Sequence, residues 1–117
     1  MFKNSVFNQP IGDWDTSSLT NMQEMFYSSA PTAYALYNHS LAGWDVSNVT
    51  NALYFMYNNA HFSTANYSDT LIGWAPQNVQ NGVNIHFGNA RYSAGSAASA
   101  RSTLVSKGWT ITDGGQA

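Results

Sequence analysis

Apolar and polar side chains alternate along Val83-Asn84-Ile85-His86-Phe87, and again along Trp109-Thr110-Ile111-Thr112. A period of two puts successive side chains on opposite faces, so both stretches predict half-buried strands. Between them, 94–107 is rich in Ala and Ser, closes on Leu104 and Val105, and is followed by Gly108. That pattern predicts a helix with a glycine stop. Strand, helix and strand at this spacing predict a right-handed parallel crossover. Further strand candidates are 23–27 and 53–57. Segments 33–43 and 65–75 predict helical or irregular turns, whereas Pro10 and Gly12 predict a short turn over 7–14.

The pattern repeats. Trp14, Trp44 and Trp74 recur at one constant spacing, and laying the chain on itself at that offset keeps other positions in step. Phe7, Tyr37 and Tyr67 align, as do Ile11, Leu41 and Leu71, then Leu19, Val49 and Val79. Asn21, Asn51 and Asn81 form a further column, and Ala30, Ala60 and Ala90 another. A period of this size predicts a stacked array in which each unit buries its apolar face against its neighbours.

Phe7-Asn8-Gln9-Pro10-Ile11-Gly12-Asp13-Trp14-Asp15-Thr16-Ser17-Ser18-Leu19-Thr20-Asn21-Met22-Gln23-Glu24-Met25-Phe26 resembles the repeat of BspA-like leucine-rich-repeat bacterial surface proteins. Trp44-Asp45-Val46-Ser47-Asn48-Val49-Thr50-Asn51 is a second match. The third unit has drifted, with Ala75 and Gln77 where the second has Asp45 and Ser47. Gly108-Trp109-Thr110-Ile111-Thr112-Asp113-Gly114-Gly115 is similar to the segment that closes such arrays, and Met1-Phe2 to the end of a preceding repeat. The resemblance implies the C-terminal part of a longer surface protein, extracellular or at the cell surface, with its signal and anchor outside this chain.

Composition narrows the function. Charged residues make up 9% of the chain against about 25% in an average domain, and the net charge is −2. Too few Lys and Arg are present to neutralise a run of phosphates, so nucleic-acid binding is not expected. Ser, Thr and Asn, at 14, 9 and 13 copies, carry the polar surface instead. No cysteine is present, which excludes disulfides and thiolate chemistry. No apolar run reaches the length of a membrane span, so membrane insertion is not expected either.

Catalytic and metal chemistry find little to work with. His39, His61 and His86 are isolated from one another and from any carboxylate at metal-ligand spacing. Asp13, Asp15 and Asp45 lack further oxygen ligands at loop spacing. Asp15 with Ser17, and Asp45 with Ser47, fit turn caps better. No nucleophile motif or P-loop is present. The expectation is a protein that is not an enzyme and needs no cofactor or metal.

The columns have structural readings. Trp14, Trp44 and Trp74 predict one core aromatic per unit, with sugar stacking as the competing role. Asn21, Asn51 and Asn81 predict an inward ladder that satisfies backbone groups, resembling the asparagine ladder of leucine-rich repeats. If Met25, Phe55, Ile85 and Ile111 point inward, then Glu24, Tyr54, Asn84 and Thr110 form one outward column and Phe26, Met56, His86 and Thr112 the next. A one-residue shift of register puts Phe26 and Met56 in the core instead. Glu24, Phe26, Tyr54, Met56, Asn84 and His86 are the candidate binding residues.

The predicted fold class is α/β, a short right-handed leucine-rich-repeat-like solenoid with parallel strands, closed by a C-terminal β-α-β cap. One repeat domain spans 1–117, with units at 1–30, 31–60 and a divergent 61–90, then a cap helix and strand over 91–117. The resemblance implies protein binding or adhesion through one face of that array, with an extracellular protein, matrix or host surface as partner. A purely structural stalk or cap and a carbohydrate-binding surface are the alternatives. The isolated fragment is expected to be monomeric.

Overall fold

The structure, a computed structural model, describes residues 8–27, 37–57 and 61–117. Phe7, Ala30, Ala60, Met1-Phe2 and the 33–36 part of segment 33–43 therefore lie outside the described residues. Helix α1 spans Thr64–Trp74. The hydroxyl of Ser63 starts it by accepting from the Asn66 N–H. Tyr67, Leu71 and Trp74, three and four residues apart, form its buried face. Strand β1 is Asn84–His86, helix α2 is Ser96–Ser106 and strand β2 is Thr110–Thr112. Small residues let α2 lie close: Ala97, Ala100 and Leu104 are its buried positions, and it packs against α1. Gly108 follows with φ of 104°, a conformation that a residue with a Cβ adopts only under strain.

β1 and β2 run parallel, with Ile85 opposite Ile111. This is the single sheet among the described residues; isolated parallel bridges stand apart from it at Asn21–Asn51, Ala52–Ile85 and Tyr92–Gln116. The expected solenoid, with a parallel strand in every unit, is not what the chain forms. It is a compact unit of 34 × 32 × 24 Å in which the described residues form two helices and one two-stranded sheet. The strand–helix–strand segment expected to cap a stack of strands instead supplies the whole of that sheet.

Tight turns replace the expected strands at 23–27 and 53–57. The N–H groups of Met25 and Tyr27 turn back to the carbonyls of Met22 and Glu24, and those of Phe55 and Tyr57 to Ala52 and Tyr54. Glu24 and Tyr54 take left-handed conformations, with φ of 55° and 57°. A chain that curls in this way cannot alternate its side chains. Met22, Met25 and Phe26 are all buried, as are Ala52, Phe55 and Met56.

Hydrogen bonds pass from each unit to the next. Glu24 N–H donates to the Leu53 carbonyl, Phe26 N–H to Phe55 and Met56 N–H to His86. The indole N–H groups of Trp44 and Trp74 donate to the carbonyls of Ile11 and Leu41, at 2.9 and 2.8 Å, and that of Trp109 to Gln80 at 2.9 Å. Between these contacts runs an aromatic core. Phe26 stacks on Tyr37 with centroids 4.3 Å apart, Phe55 meets Phe26 and Phe87 edge-on, and Trp74 meets Trp109. The backbones approach closely at Gly73, where a Cβ would fall on the Ala42 backbone.

A polar clamp holds the C-terminal tail. The Asp113 side chain, 3% exposed, accepts from Arg101 Nε at 2.8 Å, from the Tyr67 hydroxyl at 2.5 Å and from the Gly115 N–H at 2.9 Å. Arg101 also donates to the Ile111 carbonyl and lies over the Tyr92 ring. Burial, reinforced by the Asp113 carboxylate, pushes the Tyr67 phenol well above its ordinary range, so it remains a donor. Asp113→Ala leaves Arg101 and Tyr67 without their acceptor and should cost about 3 kcal/mol in urea unfolding. Gly73→Ala should cost roughly 1–3 kcal/mol in the same measurement, because backbone rather than a yielding side chain meets the added methyl.

Candidate functional site

The tight turn at 53–57 lifts Leu53 and Tyr54 out of the surface, where Tyr54 is 43% exposed. Beside them, β1 presents Asn84 and His86 around the edge of Ile85, and β2 presents Thr110 and Thr112. Together these residues line a shallow groove of about 150 Å³. No Asp, Glu, Lys or Arg is among them. Tyr57 backs the groove, edge-on to His86 with centroids 5.0 Å apart, and Tyr27 stacks on Tyr57 at 5.7 Å and 14°. Tyr54 itself leans on Tyr57 at 5.1 Å.

His86 is half-buried and oriented by the backbone beside it. Its Nδ1 accepts from the Gly88 N–H at 2.9 Å, which places the proton of the neutral ring on Nε2. Burial lowers its pKa below the ordinary 6.5, a shift that the nearby Asp113 carboxylate opposes.

Three of the six candidate binding residues meet here: Tyr54, Asn84 and His86. Phe26 and Met56 are fully buried and cannot contact a partner, because consecutive residues of each tight turn both face the core. Glu24 is half-buried and lies outside the groove lining. Among the tryptophans, Trp44 and Trp74 are core, but Trp14 is 47% exposed. It lines a second hollow of about 290 Å³ with Leu19, Met25 and Trp44.

The asparagines do not form an inward ladder. Asn21 is exposed and Asn51 half-buried, and their Oδ1 atoms accept from the N–H groups of Gln23 and Leu53, two residues on. They cap the entry to each tight turn. Asn81 is exposed too. Asp15 and Asp45 cap turns in the same way, each accepting from the N–H and hydroxyl of Ser17 or Ser47. Those hydrogen bonds, the hydroxyl's first, hold both carboxyls below the usual range.

Leu53 and Tyr57 escape the sequence reading as site residues, since on a flat strand their side chains belong to the other face. The left-handed turn brings Leu53 to the groove edge and sets the Tyr57 ring against those of Tyr54 and His86.

Among the described residues no three His, Asp or Glu side chains gather as a metal site requires, and no helix is long and apolar enough to cross a membrane. Fold and site together define a small α/β unit carrying a shallow, uncharged, aromatic groove. The chain belongs to the DUF285 family, described as Mycoplasma protein of unknown function, whose family model matches residues 1–98. The match ends within α2, so β2 and its two groove threonines lie beyond it. No curated protein and no solved structure matches the chain significantly.

The His86 geometry predicts a pH dependence. The folded state favours neutral imidazole, while the unfolded chain binds a proton near pH 6.5. The stability contribution is therefore complete above about pH 6.5 and is lost as pH falls through the lower folded value. Urea midpoints measured from pH 8 to 5 should fall over this window, and His86→Gln should flatten that part of the profile.

Proposed function

We propose that the chain is a non-enzymatic binding module, secreted or displayed at the cell surface, that makes adhesive contacts through the Tyr54 groove. The observation that carries this reading is the exposed ring of Tyr54 at the edge of the groove. A left-handed residue with a Cβ costs roughly 1–2 kcal/mol, and Gly or Asn would relieve most of it. The chain instead holds a large aromatic there, with φ of 57° and its ring open to solvent. Glu24 takes the same conformation in the equivalent turn, so it is the exposed aromatic on the groove, rather than the strain, that suits a contact residue. The neutral lining suits association by packing and hydrogen bonding rather than by steering of charge.

The surface location rests on the resemblance to BspA-like bacterial surface repeats, and membership of DUF285 is compatible with it. The partner is an extracellular protein, matrix component or host surface. Immobilised matrix and host-cell glycoproteins should retain the wild-type protein. Tyr54→Ala combined with His86→Ala should weaken retention by roughly tenfold or more, with the unfolding transition still cooperative. Equal retention of both proteins would place adhesion on another face, and retention of neither would leave the purely structural role, a stalk or terminal segment, as the better account.

A further inference from the structure

We infer that the Tyr54 groove binds a single ring of a neutral saccharide, the C–H face of the sugar lying against Tyr54 and Leu53 and its hydroxyls meeting Asn84, His86 and Thr110. This deepens the adhesion reading and rests on it.

Size is the first argument. At about 150 Å³ the groove is well below the ~300 Å³ at which pockets begin to enclose drug-sized ligands, and it is open and shallow. A groove of this size suits one ring better than a helix or a run of peptide side chains.

The donor and acceptor inventory is the second. The Asn84 amide and the Thr110 and Thr112 hydroxyls each both donate and accept, and all three residues are exposed. His86 offers an Nε2 proton, because its Nδ1 is engaged by Gly88. Sugar hydroxyls also donate and accept, so a rim of this kind matches them. It contains no fixed charge to pair with a phosphate, carboxylate or ammonium group. An apolar wall with a two-way polar rim is the complement of a pyranose, which has one face of C–H groups and an edge of hydroxyls.

The third argument concerns the rival ligand, an extended peptide added to the sheet. Strand addition needs a free edge. β1 has Ala52 on one side and β2 on the other. On β2, the Thr110 N–H and the Thr112 carbonyl bond towards β1, which turns the Ile111 backbone outward. The outward Ile111 carbonyl is already held by Arg101 Nη2 at 3.1 Å. With that acceptor taken, strand addition at this edge would start one hydrogen bond short.

The test uses the intact chain, Tyr54→Asn and Thr110→Val. Asn keeps the left-handed turn at lower strain while removing the ring, so this variant should unfold no earlier than wild type. Saturation-transfer NMR and titration calorimetry would be run with neutral monosaccharides and with oligosaccharides ending in galactose, mannose, fucose or N-acetylglucosamine. At least one should bind in the millimolar range. Tyr54→Asn should weaken it tenfold or more, Thr110→Val severalfold, and a sialylated counterpart should not gain. In parallel, the immobilised glycoproteins would be stripped of glycans enzymatically, and retention should then be lost. Retention that survives stripping and still depends on Tyr54 would overturn the sugar assignment in favour of a peptide ligand, leaving the adhesion reading intact. Sugar binding unaffected by Tyr54→Asn would overturn it as well. Failure of every sugar together with no retention on any surface would remove both readings.

Discussion

Each buried indole in this protein must find an acceptor, and it finds one in a different unit of the sequence. Trp44 reaches Ile11, Trp74 reaches Leu41 and Trp109 reaches Gln80. An unpaired buried N–H costs on the order of 1–3 kcal/mol, so these bonds tie the relative placement of units to the burial of their largest side chains. Much else follows from that placement. Aligned one repeat apart, the tight turns at 23–27 and 53–57 pass backbone hydrogen bonds forward, and the aromatic rings between them close into one core.

The same alignment explains where the surface aromatics lie. A tight turn does not share its side chains evenly between two faces. With Phe55 and Met56 committed to the core, Leu53 and Tyr54 are left outside. β1 follows a different rule in the equivalent place, because Val83, Ile85 and Phe87 are buried with exposed or half-buried residues between them. The groove sits where a turn abuts the two-stranded sheet, and its chemistry depends on the mismatch between them. The tail then locks β2 in position through Asp113, Arg101 and Tyr67, which ties the groove's threonine wall to helix α1.

How much of this is legible follows from spacing. Val83-Asn84-Ile85-His86-Phe87 and Trp109-Thr110-Ile111-Thr112 carry a clean period of two, and both form strands. The helix at Ser96–Ser106 is legible from its small residues and glycine stop. Positions 22, 25 and 26 mislead. Their apolar spacing is three and then one, which is the signature of a turn, yet likeness to the third unit suggests a strand. That likeness carries Phe26 and Met56 to the surface and hides Leu53 and Tyr57, while the repeat period and the family resemblance produce the solenoid. Asn21 and Asn51 mislead for a related reason. A recurring Asn can bond inward or cap its own turn, and only backbone direction separates the two.

The sequence by itself determined the repeat period, part of the recurring core (Ile11 with Leu41 and Leu71, Trp44 with Trp74, but not Trp14), the low charge and the two period-two strands. These are properties of residue type and spacing, and local physics suffices for them. Only the tertiary structure decided that two of the three units curl rather than extend, because a left-handed φ at Glu24 or Tyr54 leaves no mark on the side chain that occupies it. Only the tertiary structure, too, brought Tyr54, Asn84, His86 and Thr110 to one groove. Their meeting depends on hydrogen bonds that cross from one unit to the next, and the spacing within any single unit does not contain them.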